Sequence, residues 1–154
     1  MTRPLPDLHH PEFAEHWAGL AEGRVRIRQC QSCGQHAWPP RPACRVCVGL
    51  DHKWVDVAPQ GFLYSWTVVG HATLPGFEPP YAVVLGELEV PAGVRLLGSY
   101  KGDLTHLRVG LPLVARPMQV TEEVYLLNWT LAGTNDTDDV VATEQHDKEV
   151  GEHQ

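Results

Sequence analysis

Cys30-Gln-Ser-Cys33-Gly34 and, ten residues on, Cys44-Arg-Val-Cys47 hold all four cysteines of this 154-residue chain. Two C-x-x-C turns at this separation can bring four thiolates to one point, and four thiolates in a tetrahedron are what Zn²⁺ takes in a closed ribbon site. Gly34 follows the first pair, where the turn needs a permissive backbone to aim N–H groups at sulfur, and Gly49 lies two residues past the second. Other chemistries use the same residues. Disulfides need an oxidising compartment, and the polar, Pro-rich start shows no apolar signal-peptide core, so the expectation is a cytoplasmic chain with reduced thiols. A redox C-x-x-C pair belongs on a βαβ pattern, and none is visible. Iron stays open, since four sulfurs admit it on geometry alone. With no further cysteine and no histidine at ligand spacing to leave an open position, the expected zinc is structural.

Outside the cysteines no catalytic signature is found. There is no G-x-S-x-G elbow, no H-E-x-x-H and no Gly-rich phosphate loop. Nine histidines are scattered over arm, loops and tail, and a solvated or hydrogen-bonded role is expected for each. His71 and Glu78, in one long loop, are the least poor acid–base pair. Arg24, Arg26 and Arg28 alternate with Val25 and Ile27, so the three guanidinium groups share one strand face. That face is either solvated surface or a receiver of phosphate oxygens.

The elements that must position these groups follow in order. Residues 1–23 read as a Pro-rich arm and an amphipathic helix starting at Pro11, with Phe13, Trp17 and Leu20 on one stripe and Gly23 as the stop. Such a helix cannot stand alone, and its stripe must cover either the core or a partner. Residues 24–57 form the zinc ribbon, and Trp38, in the stretch Ala37-Trp-Pro-Pro-Arg41, is expected to pack over the metal turns. Residues 58–132 read as five strands: Gly61 to Val69, with Phe62, Tyr64, Trp66 and Val68 on one side; Tyr81 to Val90, with Ala82, Val84, Leu88 and Val90 inward; Val94 to Tyr100; Leu111 to Val120; and Val124 to Leu131. A helical turn capped by Asp103 separates the third strand from the fourth. Three meandering strands, a short helix and two strands is the order of an OB-fold barrel. The fold class is therefore mainly β.

Charge is placed unevenly. The net charge of −7 comes almost wholly from residues 133–154, where seven acids face one lysine, and this stretch is expected to be disordered. The body is near neutral, which argues against the alternative of a single-stranded nucleic-acid-binding module, although ribbons and OB-folds both serve that purpose. No stretch is apolar enough to span a membrane.

Gly23-Arg-Val-Arg-Ile27, the C-x-x-C-G…W-P-P-R…C-x-x-C run, Gly61-Phe-Leu-Tyr-Ser-Trp-Thr-Val-Val69, Pro79-Pro-Tyr-Ala-Val-Val84 and Val109-Gly-Leu-Pro-Leu-Val114 together resemble the zinc-ribbon plus OB-fold proteins of domain-of-unknown-function family 35. The resemblance covers residues 10–131. It implies an accessory subunit that forms a hetero-oligomer with a thiolase-like enzyme, with acyl-CoA at a shared site, in lipid or steroid metabolism. The partner would be an acyl-CoA carbon–carbon lyase (retro-aldolase), the preferred type, or an acyltransferase, and it would carry the catalysis. Cys30, Cys33, Cys44 and Cys47 match the family's metal ligands. Arg24, Arg26 and Arg28 are candidate CoA-phosphate contacts, and Phe13, Trp17, Trp38 and Phe77 candidate partner contacts; no catalytic residue is expected in this chain.

Overall fold

Residues 11–13 form a turn, and helix α1 (Ala14–Ala21) begins three residues later than Pro11 would place it, with Phe13 at its N-cap. Proline suits a first helical position, but His10 already closes the turn by accepting from the amides of Phe13 and Ala14. The helix is two turns long, and its stability comes from what it covers. His16, Gly19 and Leu20 are buried beneath it. The computed structural model describes residues 3–72 and 74–133, so the acidic stretch expected to be disordered lies outside the described residues.

Strand β1 (Val25–Cys30) runs between β2 (His36–Ala37) and β3 (His52–Val57) in an antiparallel three-stranded sheet. Val25 pairs with Val57 and Ile27 with Val55, so the β-branched residues of both strands share a face and turn it to the core. β2 is an edge strand of two residues. The prolines after Trp38 remove the amide hydrogens a longer strand would need.

Five strands then close a barrel in the order β4 (Gln60–Val69), β5 (Tyr81–Leu88), β6 (Arg95–Tyr100), β8 (Tyr125–Leu131), β7 (Pro112–Gln119). The expected helical turn is a 3₁₀ turn over Leu104–His106, with the Asp103 carboxylate accepting from the Thr105 amide. Closure depends on one short parallel pairing of β6 with β8, Ser99 against Asn128, where the Ser99 hydroxyl donates to Asn128 Oδ1 at 2.9 Å. Asn128 is buried there, and the bond satisfies its carbonyl oxygen.

Two strand expectations change. The β4 aromatic stripe is split by a register shift between Leu63 and Ser65. Phe62 lies opposite Glu87 on the outside, whereas Trp66 lies opposite the buried Val84 and packs against the core. A bulge inserts one residue and so reverses the alternation past it. Val90 was expected inward, but β5 ends at Leu88 and Val90 is 66% exposed in the following turn.

Leu20 of the helix, Val25 and Ile27 of the ribbon sheet, and Val84, Leu96 and Trp129 of the barrel belong to one buried cluster. The ribbon is thereby held in a set orientation on the barrel.

Candidate metal centre and its surroundings

The two C-x-x-C turns are built alike. In the first, the Gly34 amide donates to the Cys30 carbonyl at 2.9 Å; in the second, the Val48 amide donates to the Cys44 carbonyl at 3.0 Å. Both turns finish in the left-handed region, with φ 75° at Gly34 and 62° at Val48. Gly34 takes that conformation freely, while a β-branched side chain is strained there. The glycine expected to relieve the second turn, Gly49, is not the residue with positive φ. Its role is close approach, because a Cβ there would lie 2.9 Å from Ser32 Oγ and 3.3 Å from Cys47 Sγ.

The four sulfurs lie within 4.8 Å of one another, with Cys30–Cys47 and Cys33–Cys44 each at 3.6 Å. A tetrahedron with Zn–S bonds of about 2.3 Å has S···S edges of about 3.8 Å, so the donor set fits zinc. Cys30 and Cys44 are buried and Cys33 and Cys47 face outward, which suits a structural ion at the edge of a small sheet. Backbone amides prepare the thiolates. Those of Cys47 and Val46 hold Cys44 down to about 6, and the amide of Cys33 lowers Cys30. At Cys33 the Gln35 amide pulls the other way, but the Cys47, Cys44 and Cys30 thiols together with burial push it up to about 12. Without a cation, four thiolates this close repel one another. Bound zinc would supply the charge that lets all four ionise, and its chemistry is cross-linking of the two turns.

The arginine face is largely neutralised within the chain. Arg26, whose side chain is 14% exposed, binds Asp56 at 2.8 Å, Glu22 at 3.0 Å and Glu15 at 3.2 Å, tying α1 to β3 across β1. Arg24 pairs with Glu22 and with Asp56, the latter at 3.1 Å. Arg28 differs: its Nη1 donates to the Arg41 carbonyl at 3.4 Å, its guanidinium lies 5.8 Å from the Trp54 ring centroid, and its Nε is buried without a partner.

Trp38 packs on the helix. Its ring is 4.1 Å from that of His16 and 5.9 Å, edge-on, from that of Phe13. His16 is buried, donates through Nδ1 to the Arg26 carbonyl at 2.8 Å, and burial lowers its pKa against the raising effect of that bond. Phe13 and Trp17 line an open groove of about 250 Å³ with Pro6, Asp7 and His10. Phe77 stacks on Tyr81 at 5.6 Å and carries the Arg3 guanidinium 4.3 Å above its ring. His71 and Glu78 are both exposed.

Sequence reasoning missed Val48 and His16. Superposing the two C-x-x-C segments puts Val48 on Gly34, which is a readable signal; His16 lies four residues before Leu20 and so on the same helix face.

Residues 17–51 match the ChsH2 rubredoxin-like zinc ribbon domain and residues 54–116 the ChsH2 C-terminal OB-fold domain. The chain belongs to the ChsH2 zinc-ribbon plus OB-fold family. Among relatives of this family, it is 30% identical over 125 residues to a probable enoyl-CoA hydratase alpha subunit of Thermomonospora curvata, covering 80% of this chain and 38% of that protein. It is 29% identical to the benzoylsuccinyl-CoA thiolase subunit BbsA of Thauera aromatica, covering 63% and 67%. The chain thus spans well under half of the hydratase subunit and two thirds of the thiolase subunit. A solved Ltp2-ChsH2(DUF35) aldolase chain superposes with a TM-score of 0.75 at 29% identity, covering 82% of this chain and 99% of that one. Among the described residues, no helix is long and apolar enough to cross a membrane.

Proposed function

We propose that this chain is an accessory subunit of a thiolase-like acyl-CoA aldolase or acyltransferase, stabilising the catalytic subunit and helping to shape its CoA and acyl site. The observation that carries the reading is that the ChsH2-type ribbon and barrel, which superpose on an aldolase chain over nearly its full length, make up almost all of the described chain. The groove between the arm and α1, lined by Phe13 and Trp17, offers an apolar surface to the partner. Trp38 meets Phe13 edge-on at that surface, and Phe77, which carries Arg3 of the arm over its ring, is a further apolar candidate contact. Of the three arginines, Arg28 is the one proposed to meet a CoA phosphate, because a ligand at Arg24 or Arg26 would have to displace Glu22 and Asp56.

Co-expression with a thiolase-fold acyl-CoA enzyme subunit from the same genome tests this. The expected result is a hetero-oligomer in which the catalytic subunit gains solubility and turnover. Separate elution, with solubility and turnover unchanged, would refute it.

A further inference from the structure

The four cysteine sulfurs are not equivalent. Cys33 and Cys47 are exposed, Cys30 and Cys44 buried. The two approaches at 3.6 Å, Cys30 to Cys47 and Cys33 to Cys44, each set an exposed sulfur against a buried one, and both run between the turns rather than within a turn. Gly49 places no side chain over Cys47, where a Cβ would stand 3.3 Å from the Sγ. Thiolates are the form that peroxides oxidise, and cysteines that bind zinc do so as thiolates. An oxidant can therefore reach one sulfur of each pair, and a second sulfur lies beside it to resolve the product. A disulfide requires each pair to close from 3.6 Å to about 2.05 Å, a short movement for side-chain ends. The strand beneath is held independently: Val25 and Ile27 of β1 are buried in the barrel cluster, and β1 pairs with β3 from Val25 to Cys30.

We propose that the ribbon is a reversible peroxide-sensitive switch in which the disulfides Cys30–Cys47 and Cys33–Cys44 take over the cross-link from the metal. In each pair the exposed thiolate attacks hydrogen peroxide, the O–O bond breaks and hydroxide leaves, giving a sulfenic acid; the buried thiolate then attacks that sulfur and expels its oxygen as a second hydroxide. The sulfur pair loses two electrons, the peroxide gains them, and two protons from solvent turn both hydroxides into water. Once both pairs have reacted no thiolate remains, and the metal is released. Zinc with four thiolates carries net negative charge and two disulfides carry none, so oxidation leaves Arg28, Arg41, Arg45 and Lys53 of the same stretch less compensated. The switch requires no partner and stands apart from the accessory-subunit reading.

The test treats the zinc-loaded full chain with hydrogen peroxide at neutral pH. It follows zinc release with a chromogenic chelator, thiol content, disulfide positions by peptide mass spectrometry, and isoelectric point. Zinc and thiols should be lost in step, with about two peroxides consumed per zinc. The two named disulfides should form, the isoelectric point should rise, and amide exchange in β1 and β3 should stay within about twofold of the zinc-loaded chain. Dithiothreitol with zinc should then restore both thiols and metal. Zinc retained while free cysteine at the same concentration is consumed would overturn the switch. So would any other disulfide pairing, sulfinic acids that the reductant does not reverse, or loss of protection in β1 and β3.

Discussion

Gly98 and the indole of Trp129 occupy adjoining space inside the barrel: a Cβ on Gly98 would lie 2.8 Å from Trp129 Cδ1 and 2.9 Å from the Leu127 carbonyl oxygen. Gly86 lies against the same ring from β5. Trp129 is fully buried, and its Nε1 donates to the Leu96 carbonyl at 3.2 Å, so the ring cannot swing aside without losing that bond. Gly98→Ala should therefore destabilise the chain by about 1–3 kcal/mol, the usual range for overpacking, with zinc content unchanged. Chemical denaturation checks it, and a variant as stable as the parent would show that the ring has room to move.

Cys33→Ser should release zinc and unfold the ribbon, because the binding free energy of such sites, on the order of 10 kcal/mol, is also folding free energy. Elemental analysis and circular dichroism report the two losses together. A folded ribbon without metal would show that hydrophobic packing against the barrel holds it unaided.

His16 makes stability depend on pH. Its folded pKa lies below the ordinary 6.5, with burial as the main cause, so the unfolded chain binds a proton before the folded one does. Its contribution should be complete above about pH 6.5 and should fade as pH falls through the lowered folded value. Denaturation midpoints of parent and His16→Gln, measured from pH 7.5 down to pH 5, should converge. Parallel curves would mean that His16 titrates alike in both states.

Arg3 fastens the arm to the loop before β5. Its guanidinium lies over Phe77, and a Cβ at Gly76 would come 2.7 Å from the Arg3 Cβ. Arg3→Ala should raise hydrogen exchange at the amides of residues 76–78 several-fold, with the β7–β8 pairs unaffected. Equal exchange in the two proteins would show that the loop keeps its shape without the arm.

Spacing and periodicity by themselves determined the four metal ligands, the five barrel strands, the Asp103 cap and the stop at Gly23. Each rests on residues close in sequence, and local backbone geometry suffices to read it. Only the tertiary structure decided where the side chains between these points go. The bulge that sends Phe62 outward and Trp66 inward depends on what β5 presents across the ladder. The neutralisation of Arg24 and Arg26 needs Glu15 and Glu22 from one element and Asp56 from another to meet at a single strand, and Trp38 finds His16 across the same sheet. Apart from the Glu22 pairs, which are local, those contacts join residues far apart in the chain, and a pattern read along the chain carries no distance across it.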